Sequence, residues 1–299
     1  MEPRIEPVAP IEPERPTSQF WRQLDIVNMD NLRTMPIVVV GAGSVGSFTV
    51  LSLAKMGAEN ITVYDDDKVE PHNLPNQFFR MKDVGSKKVT ALKKIVKDFT
   101  GIEIKSIPGR FQMRHDLQGI VIATVDTMAS REIIWKRAKM NPMVKLYVDS
   151  RMGAQVYDIQ SLRPTDMDAV KAYDGTWYDD KDAIQERCSE KAIIYTVMAM
   201  ANILCNVVKR YVQAQDIPYR ITGDCVTLMQ SVEDGPLEME EPDSDSCEKD
   251  YSDSENERVQ GLGNQPLTAQ SLRTAMDSLT INNPTVSQWV STVNGSVGL

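Results

Sequence analysis

Cysteine and histidine are scarce in this chain. Four cysteines (Cys188, Cys205, Cys225, Cys247) and two histidines (His72, His115) are spread through 299 residues. No Cys-x-x-Cys pair occurs, and neither histidine stands at ligand spacing from a cysteine or from the other. This excludes a zinc ribbon and a disulfide framework, and it points to a reduced, cytoplasmic compartment. The opening Met-Glu-Pro-Arg-Ile-Glu is charged and holds no apolar signal segment. A basic excess is missing too, with 33 Lys and Arg against 42 Asp and Glu, so no nucleic-acid partner is expected. Residues 192–208 carry no charge but include Tyr195, Asn202, Cys205 and Asn206, so they predict a buried core helix rather than a membrane span.

The acidity is local. Residues 233–257 hold twelve acids against Lys249 alone, and the rest of the chain, with 30 acids and 32 bases, is close to neutral. Residues 1–16 carry five prolines and predict a disordered arm. The acidic, serine-rich 233–257 reads as a linker, and 258–299 as a tail element in which Leu272, Met276 and Leu279 recur at helical spacing. Between arm and linker, residues 17–232 form one main domain. There a short helix is expected over 18–32, helices over 48–56, 87–99, 128–139 and 189–211, and a long loop over 163–187. Apolar strands are expected near 37–40, 61–64, 103–107, 119–124, 144–149, 155–162, 219–221 and 225–232. This alternation predicts an α/β fold: a Rossmann-like, doubly wound, mostly parallel sheet with helices on both faces and extra strands toward the C-terminus.

Residues 37–46, Ile-Val-Val-Val-Gly-Ala-Gly-Ser-Val-Gly, run from a buried strand into a glycine turn. Gly41 permits the tight turn, Gly43 lets backbone approach a phosphate, and Gly46 packs helix on strand. Nineteen residues past Gly46, the second strand ends on Asp65, an acceptor for ribose hydroxyls. A nucleotide site is therefore expected at this turn. The following residues separate ATP from NAD: Asn73 and Gln77 are neutral donors suited to a triphosphate, and Lys88 brings a cation to a helix start. Hydride transfer needs none of them.

These motifs resemble the family of ThiF, the molybdopterin-synthase adenylyltransferase and the activating enzymes of ubiquitin-like proteins. The matching residues are Gly41, Gly43 and Gly46; Asp65 and Asp67; Asn73, Leu74 and Gln77; Gly85 and Lys88; and Asp126 after a later strand. The resemblance covers residues 20–232. It implies a cytoplasmic, homodimeric adenylyltransferase that uses ATP and Mg²⁺ to activate the C-terminal glycine of a ubiquitin-like or sulfur-carrier protein, with a conjugating enzyme as a further partner. By that resemblance Asp65 holds the ribose, Lys88 neutralises phosphate, Asp126 holds Mg²⁺, and Arg22 reaches a neighbouring subunit's phosphates.

Two departures stand out. Asn76 occupies the place of a phosphate-facing arginine, for which Arg80 is a candidate substitute, and Ser44 follows Gly43 where a third glycine is frequent. Cys188, at the end of the polar stretch beside Arg187, has two readings: a thioester-forming nucleophile, as in some family members, or a structural thiol. Cys205 and Cys225 read as core packing, in a helix and a strand. Arg131 reads equally as a phosphate ligand or as a helix-surface ion pair, and Lys87 as solvent-facing. Two other functions remain open: an NAD-dependent oxidoreductase, favoured by the glycine turn alone, and a non-catalytic scaffold, suggested by Asn76.

Overall fold

The computed structural model describes residues 19–178 and 192–236. Cys188, Cys247, the arm at 1–16, the linker beyond residue 236 and the tail at 258–299 lie outside them.

Four consecutive buried residues, Ile37–Val40, make β1, a strand paired on both sides within the sheet. Val and Ile suit a strand covered on both faces, because a branched Cβ packs against its neighbours on a pleated surface. The chain then forms α2 (Ser44–Met56) and β2 (Ile61–Tyr64), preceded by α1 (Met29–Thr34). Next come α3 (Lys88–Thr100), β3 (Lys105–Ile107), β4 (Gly119–Ala123), α4 (Met128–Ala138) and β5 (Val144–Gly153). After them follow β6 (Val156–Leu162), α5 (Met167–Asp174), α6 (Ile194–Val212), β7 (Arg220–Asp224) and β8 (Met229–Glu233).

The strands form one sheet in the order β3-β2-β1-β4-β5-β6-β7-β8. The first five run parallel and the last three are antiparallel. Ile37 lies opposite Ile61 on one side and Ile120 on the other, so the register stacks three isoleucines across the sheet. Strand alternation divides the core. Val39, Val63, Ile122 and Val148 pack with residues of α2, α3 and α6, whereas Val38, Val121 and Tyr147 pack with Ile134 and Trp135 of α4 and Val170 and Tyr173 of α5. The result is the expected doubly wound α/β layering.

The long helix is α6, with Val197, Met200, Leu204, Val207 and Val208 fully buried against α2 and the sheet. The burial that the apolar stretch predicted comes from the protein core. Among the described residues, no helix is long and apolar enough to cross a membrane.

Three local expectations need correction. Residues 163–187 are not a loop throughout: Asp166 caps α5, accepting the backbone N–H groups of Asp168 and Ala169. The single helix expected over 18–32 is a 3-10 turn, Trp21–Gln23, followed by α1, because the Asn28 side chain caps a fresh helix by accepting from Asn31. Cys225 lies just past the end of β7, half-buried, rather than within a strand.

Candidate nucleotide site

β1 is the switch point of the sheet. The chain leaves it for β2 and β3 on one side and returns through β4 on the other, which opens a crevice beyond the carboxyl ends of β1 and β4. The glycine turn and the loop carrying Asp126 flank this crevice.

The three glycines face different demands. Gly41 has φ +105°, and a Cβ there would stand 2.6 Å from the Thr124 carbonyl oxygen. A Cβ on Gly46 would stand 2.0 Å from the Gly41 carbonyl oxygen, so this position is fixed by packing within the turn. A Cβ on Gly43 meets nothing within 4 Å among the described residues. Its surroundings are open, as backbone meant to approach a phosphate requires. Gly43 is also the N-cap of α2, and no side chain caps that helix, which leaves first-turn N–H groups for an anion. Ser44 opens the helix without disturbing the turn.

Asp65 follows β2 and is held from two sides. Its carboxylate accepts from Ala42 N–H at 2.7 Å and from Asp67 N–H at 2.8 Å. Burial pushes the Asp65 carboxyl upward, against the opposing pull of those N–H groups and of the Lys88 charge. Lys88 begins α3; it is 6% exposed, and its Nζ lies 2.8 Å from Asp67 Oδ2. The strand ends at Tyr64, so residues 65–67 do not alternate, and the carboxylates of Asp65, Asp66 and Asp67 lie within 4.8 Å of one another. Arg110 pairs with Asp66 at 3.4 Å, so each of the three has a partner. Lys87 is half-buried and donates to the Asp66 carbonyl, which corrects its reading as a solvent-facing side chain.

The loop with Asn73 and Gln77 is tied to α2, because Phe78 N–H donates to Ser47 Oγ at 3.0 Å. Asn73 is buried, and its Oδ1 accepts from Glu70 N–H at 2.9 Å. Among the described residues, Gln77 Oε1 and Asn76 Oδ1 are buried without a partner. Asp126 is exposed in the loop between β4 and the Thr127 cap of α4. Thr124 anchors that loop to the glycine turn by donating to the carbonyls of Val40 and Gly41 at 3.0 and 2.9 Å. The donor set suits a magnesium nucleotide: an uncapped helix start, a glycine facing open space, a lysine, and an exposed carboxylate oxygen for a hard cation.

Other expected residues stand elsewhere. Arg22 is exposed on the 3-10 turn, whose Gln23 donates to the Met56 carbonyl at 2.8 Å. That is the far end of α2, about 20 Å from its N-terminus by helix rise, so Arg22 is not brought to the crevice of its own chain. Arg80 is not a free replacement for the missing arginine. It contacts Asp83 at 2.9 Å and Asp98 at 2.8 Å. Burial raises the Asp83 carboxyl, but the Arg80 side chain, backbone N–H and charge outweigh it, and the net shift is downward.

A carboxyl depressed in the fold stabilises above its unfolded pKa, and this contribution is lost as pH falls through the folded value. Arg80→Ala is therefore expected to lower stability by about 1 kcal/mol at neutral pH. The gap to the unaltered protein should narrow in denaturant titrations carried from pH 6 down to pH 2. A gap that stays constant or widens on acidification contradicts the pairing.

Arg131 is neither a phosphate ligand nor paired on its own helix. It is buried against Asp149 of β5. Arg151 reaches the same carboxylate. Sequence reasoning missed this cluster, although Asp149 and Arg151, two charges in the otherwise buried later part of β5, were a visible signal. Cys205 is buried as expected, and burial pushes its thiol up to about 12.

Fold and crevice together define a Rossmann-like α/β protein with a candidate nucleotide site. The model of the ThiF family matches residues 17–222, and the chain belongs to this family. Among curated relatives, a probable molybdopterin-synthase adenylyltransferase of Gracilaria tenuistipitata var. liui is 31% identical over 123 residues, covering 39% of this chain and 35% of that protein. Ubiquitin-like modifier-activating enzyme 5 of Gallus gallus is 34% identical over 92 residues, 29% of this chain and 23% of that protein. The NEDD8-activating enzyme E1 catalytic subunit of Arabidopsis thaliana is 41% identical over 70 residues, 23% of this chain and 15% of that one. The matched segments thus span well under half of these relatives. Among solved structures, E. coli MccB with ATP superposes at TM-score 0.58 and 14% identity, covering 74% of this chain and 73% of that one. PaaA superposes at 0.56 and 18%, covering 72% and 70%. Both share the fold.

Proposed function

We propose that this protein is an ATP-dependent adenylyltransferase acting on the C-terminal carboxylate of a ubiquitin-like or sulfur-carrier protein that ends in glycine. The observation that carries the reading is the crevice itself, where a glycine-lined helix start, Asp65, Lys88 and the Asp126 loop gather around the switch point. A dehydrogenase has no use for Lys88 or for a carboxylate beyond β4.

In this reading Asp65 accepts from the ribose hydroxyls, while the α2 N-terminus and Lys88 face the phosphates. Asn73 and Gln77 supply neutral contacts. A carboxylate oxygen of the partner's terminal glycine attacks the α-phosphorus, and the bond from that phosphorus to the bridging oxygen breaks. The products are an acyl-adenylate and pyrophosphate, whose charge Lys88 faces. Positioning and fixed cations do most of the work in such transfers. Asp126 would hold Mg²⁺, which supplies charge neutralisation on the phosphate oxygens. Arg22 serves a second copy in a homodimer, consistent with its distance from its own crevice. A thioester on Cys188 and hand-over to a conjugating enzyme are later steps that need the segment outside the described residues.

The test is ATP–pyrophosphate exchange with small proteins ending in Gly-Gly, with and without Mg²⁺. Exchange that depends on partner and metal, and that is lost in Asp126→Ala, supports the reading. Exchange no greater than in the Asp126→Ala control, across such partners, would favour the non-catalytic scaffold. A reducible conjugate that persists in Cys188→Ala would remove that cysteine from the mechanism.

A further inference from the structure

Asp149 has no solvent exposure, and three side chains donate to its carboxylate: Arg131 through Nη1, Arg151 through Nε at 2.8 Å, and Tyr173 through its hydroxyl at 2.9 Å. Two guanidinium groups meet on this one buried carboxylate, and the next buried carboxylate, Asp158, stands opposite Arg151 in the β5–β6 register. Burial, followed by repulsion from Arg151, pulls the Arg131 guanidinium below its usual range. Among the described residues, Arg131 Nε is also buried without a partner. As a device for stability alone, such a cluster is poor, because apolar residues of similar volume are commonly as stable or more so.

The cluster does reach the crevice. Arg131 Nη2 donates to the Val125 carbonyl at 2.6 Å, and Nη1 also donates to the Ser150 carbonyl at 3.2 Å. Ser150 Oγ in turn donates to the Ala123 carbonyl at 2.9 Å, at the end of β4. The peptide that precedes Asp126 is therefore held by a side chain whose own place is set by Asp149. On its other side, Asp149 orients Arg151, which donates to the carbonyl and hydroxyl of Thr176 at 2.9 and 3.0 Å.

We propose that Asp149 and Arg131 are positioning residues that fix the Val125–Asp126 turn and so set how the Asp126 carboxylate meets magnesium-bound ATP. This rests on the adenylyltransferase reading for the role of Asp126. The link is a rigid one: a β5 carboxylate, a guanidinium with donors on two sides, and a backbone carbonyl one residue before the functional group. A displacement well under 1 Å at that carbonyl is enough to matter, because a hard cation with short oxygen bonds tolerates little error in ligand placement.

The experiment is calorimetric ATP binding by the full chain across a Mg²⁺ series, with pyrophosphate exchange measured in parallel. The variants are Asp149→Asn and Arg131→Lys, and the control is Asp158→Asn. Asp158 is 1% exposed, pairs with half-buried Arg220 at 2.8 Å and acts on Arg151 without touching Arg131, so it perturbs the same region but not the link to Val125. Asp149→Asn and Arg131→Lys are expected to raise the Mg²⁺ concentration for half-maximal ATP binding at least threefold. Their ATP affinity without metal should stay within twofold of the unaltered protein. Where exchange is measurable, kcat falls about tenfold with a smaller change in the KM for ATP. Asp158→Asn should lower the melting temperature yet leave the Mg²⁺ midpoint in place. If Asp149→Asn does not fold, Arg131→Lys, which keeps the buried charge, still carries the comparison. Unshifted Mg²⁺ midpoints in the folded variants, or an equal shift in Asp158→Asn, overturn the proposal. Absence of exchange in the unaltered protein contradicts the adenylyltransferase reading instead, and leaves the binding comparison intact.

Discussion

Replacing Lys88 by Ala is expected to lower partner-dependent ATP–pyrophosphate exchange by roughly 10²–10³-fold, the range seen when one charge-stabilising donor is removed from an active site. The fold should survive. Among the described residues Lys88 forms its ion pair with Asp67, whose side chain is 63% exposed and returns to water when the ammonium is removed, while its charge also acts on the nearby Asp65 carboxyl. The stability lost with that ion pair is about 1 kcal/mol or less. Lys88→Met, which keeps the buried stem and removes the charge, separates packing from electrostatics: its melting temperature should match the unaltered protein while its exchange rate falls as far as that of Lys88→Ala. Equal exchange in all three proteins would mean that the ammonium faces no phosphate.

The glycine turn gives the second large effect, through a contrast between neighbours. Gly46→Ala places a methyl group 2.0 Å from the Gly41 carbonyl oxygen, an approach that real Cβ atoms do not make, so the turn or the helix must move. Overpacking that involves backbone costs about 1–3 kcal/mol or more, and this variant should show a lowered melting temperature together with lost nucleotide binding. Gly43→Val meets no protein atom within 4 Å at its Cβ. It should fold normally while ATP affinity falls at least tenfold, because its side chain fills the space through which backbone approaches phosphate. A binding isotherm and a melting curve on each variant decide the matter. If Gly43→Val binds ATP as well as the unaltered protein, the phosphates lie elsewhere.

Much of this was legible in the sequence, for reasons that can be located. β1 and β4 are short runs of apolar residues covered on both faces, and such strands announce themselves because no register would let them meet water. The glycine turn was legible because each glycine answers a separate steric demand, and the places of Asp65 and Lys88 because one follows a short apolar strand and the other opens an amphipathic helix. α5 was hidden: its capping residue Asp166 sits in a polar run whose Pro164 and Gly175 suggested a loop, and only Ala169, Val170 and Tyr173 reach the core. Arg80 was misjudged because sequence distance to Asn76 said nothing about Asp98, eighteen residues farther on, which claims its guanidinium. Asp149 was passed over because Arg131 and Tyr173 reach it from α4 and α5, and only Arg151, two residues on in β5, leaves a local spacing to read.

The central claim, that the crevice between β1 and β4 binds ATP, is tested most directly by titrating the protein with magnesium-ATP and with NAD side by side, for the unaltered chain and for Lys88→Ala. ATP is expected to bind the unaltered chain more tightly than NAD, and Lys88→Ala to weaken ATP at least tenfold while leaving the weak NAD signal unchanged. Tighter binding of NAD, with ATP affinity indifferent to Lys88→Ala, would contradict the claim and return the glycine turn to a dinucleotide.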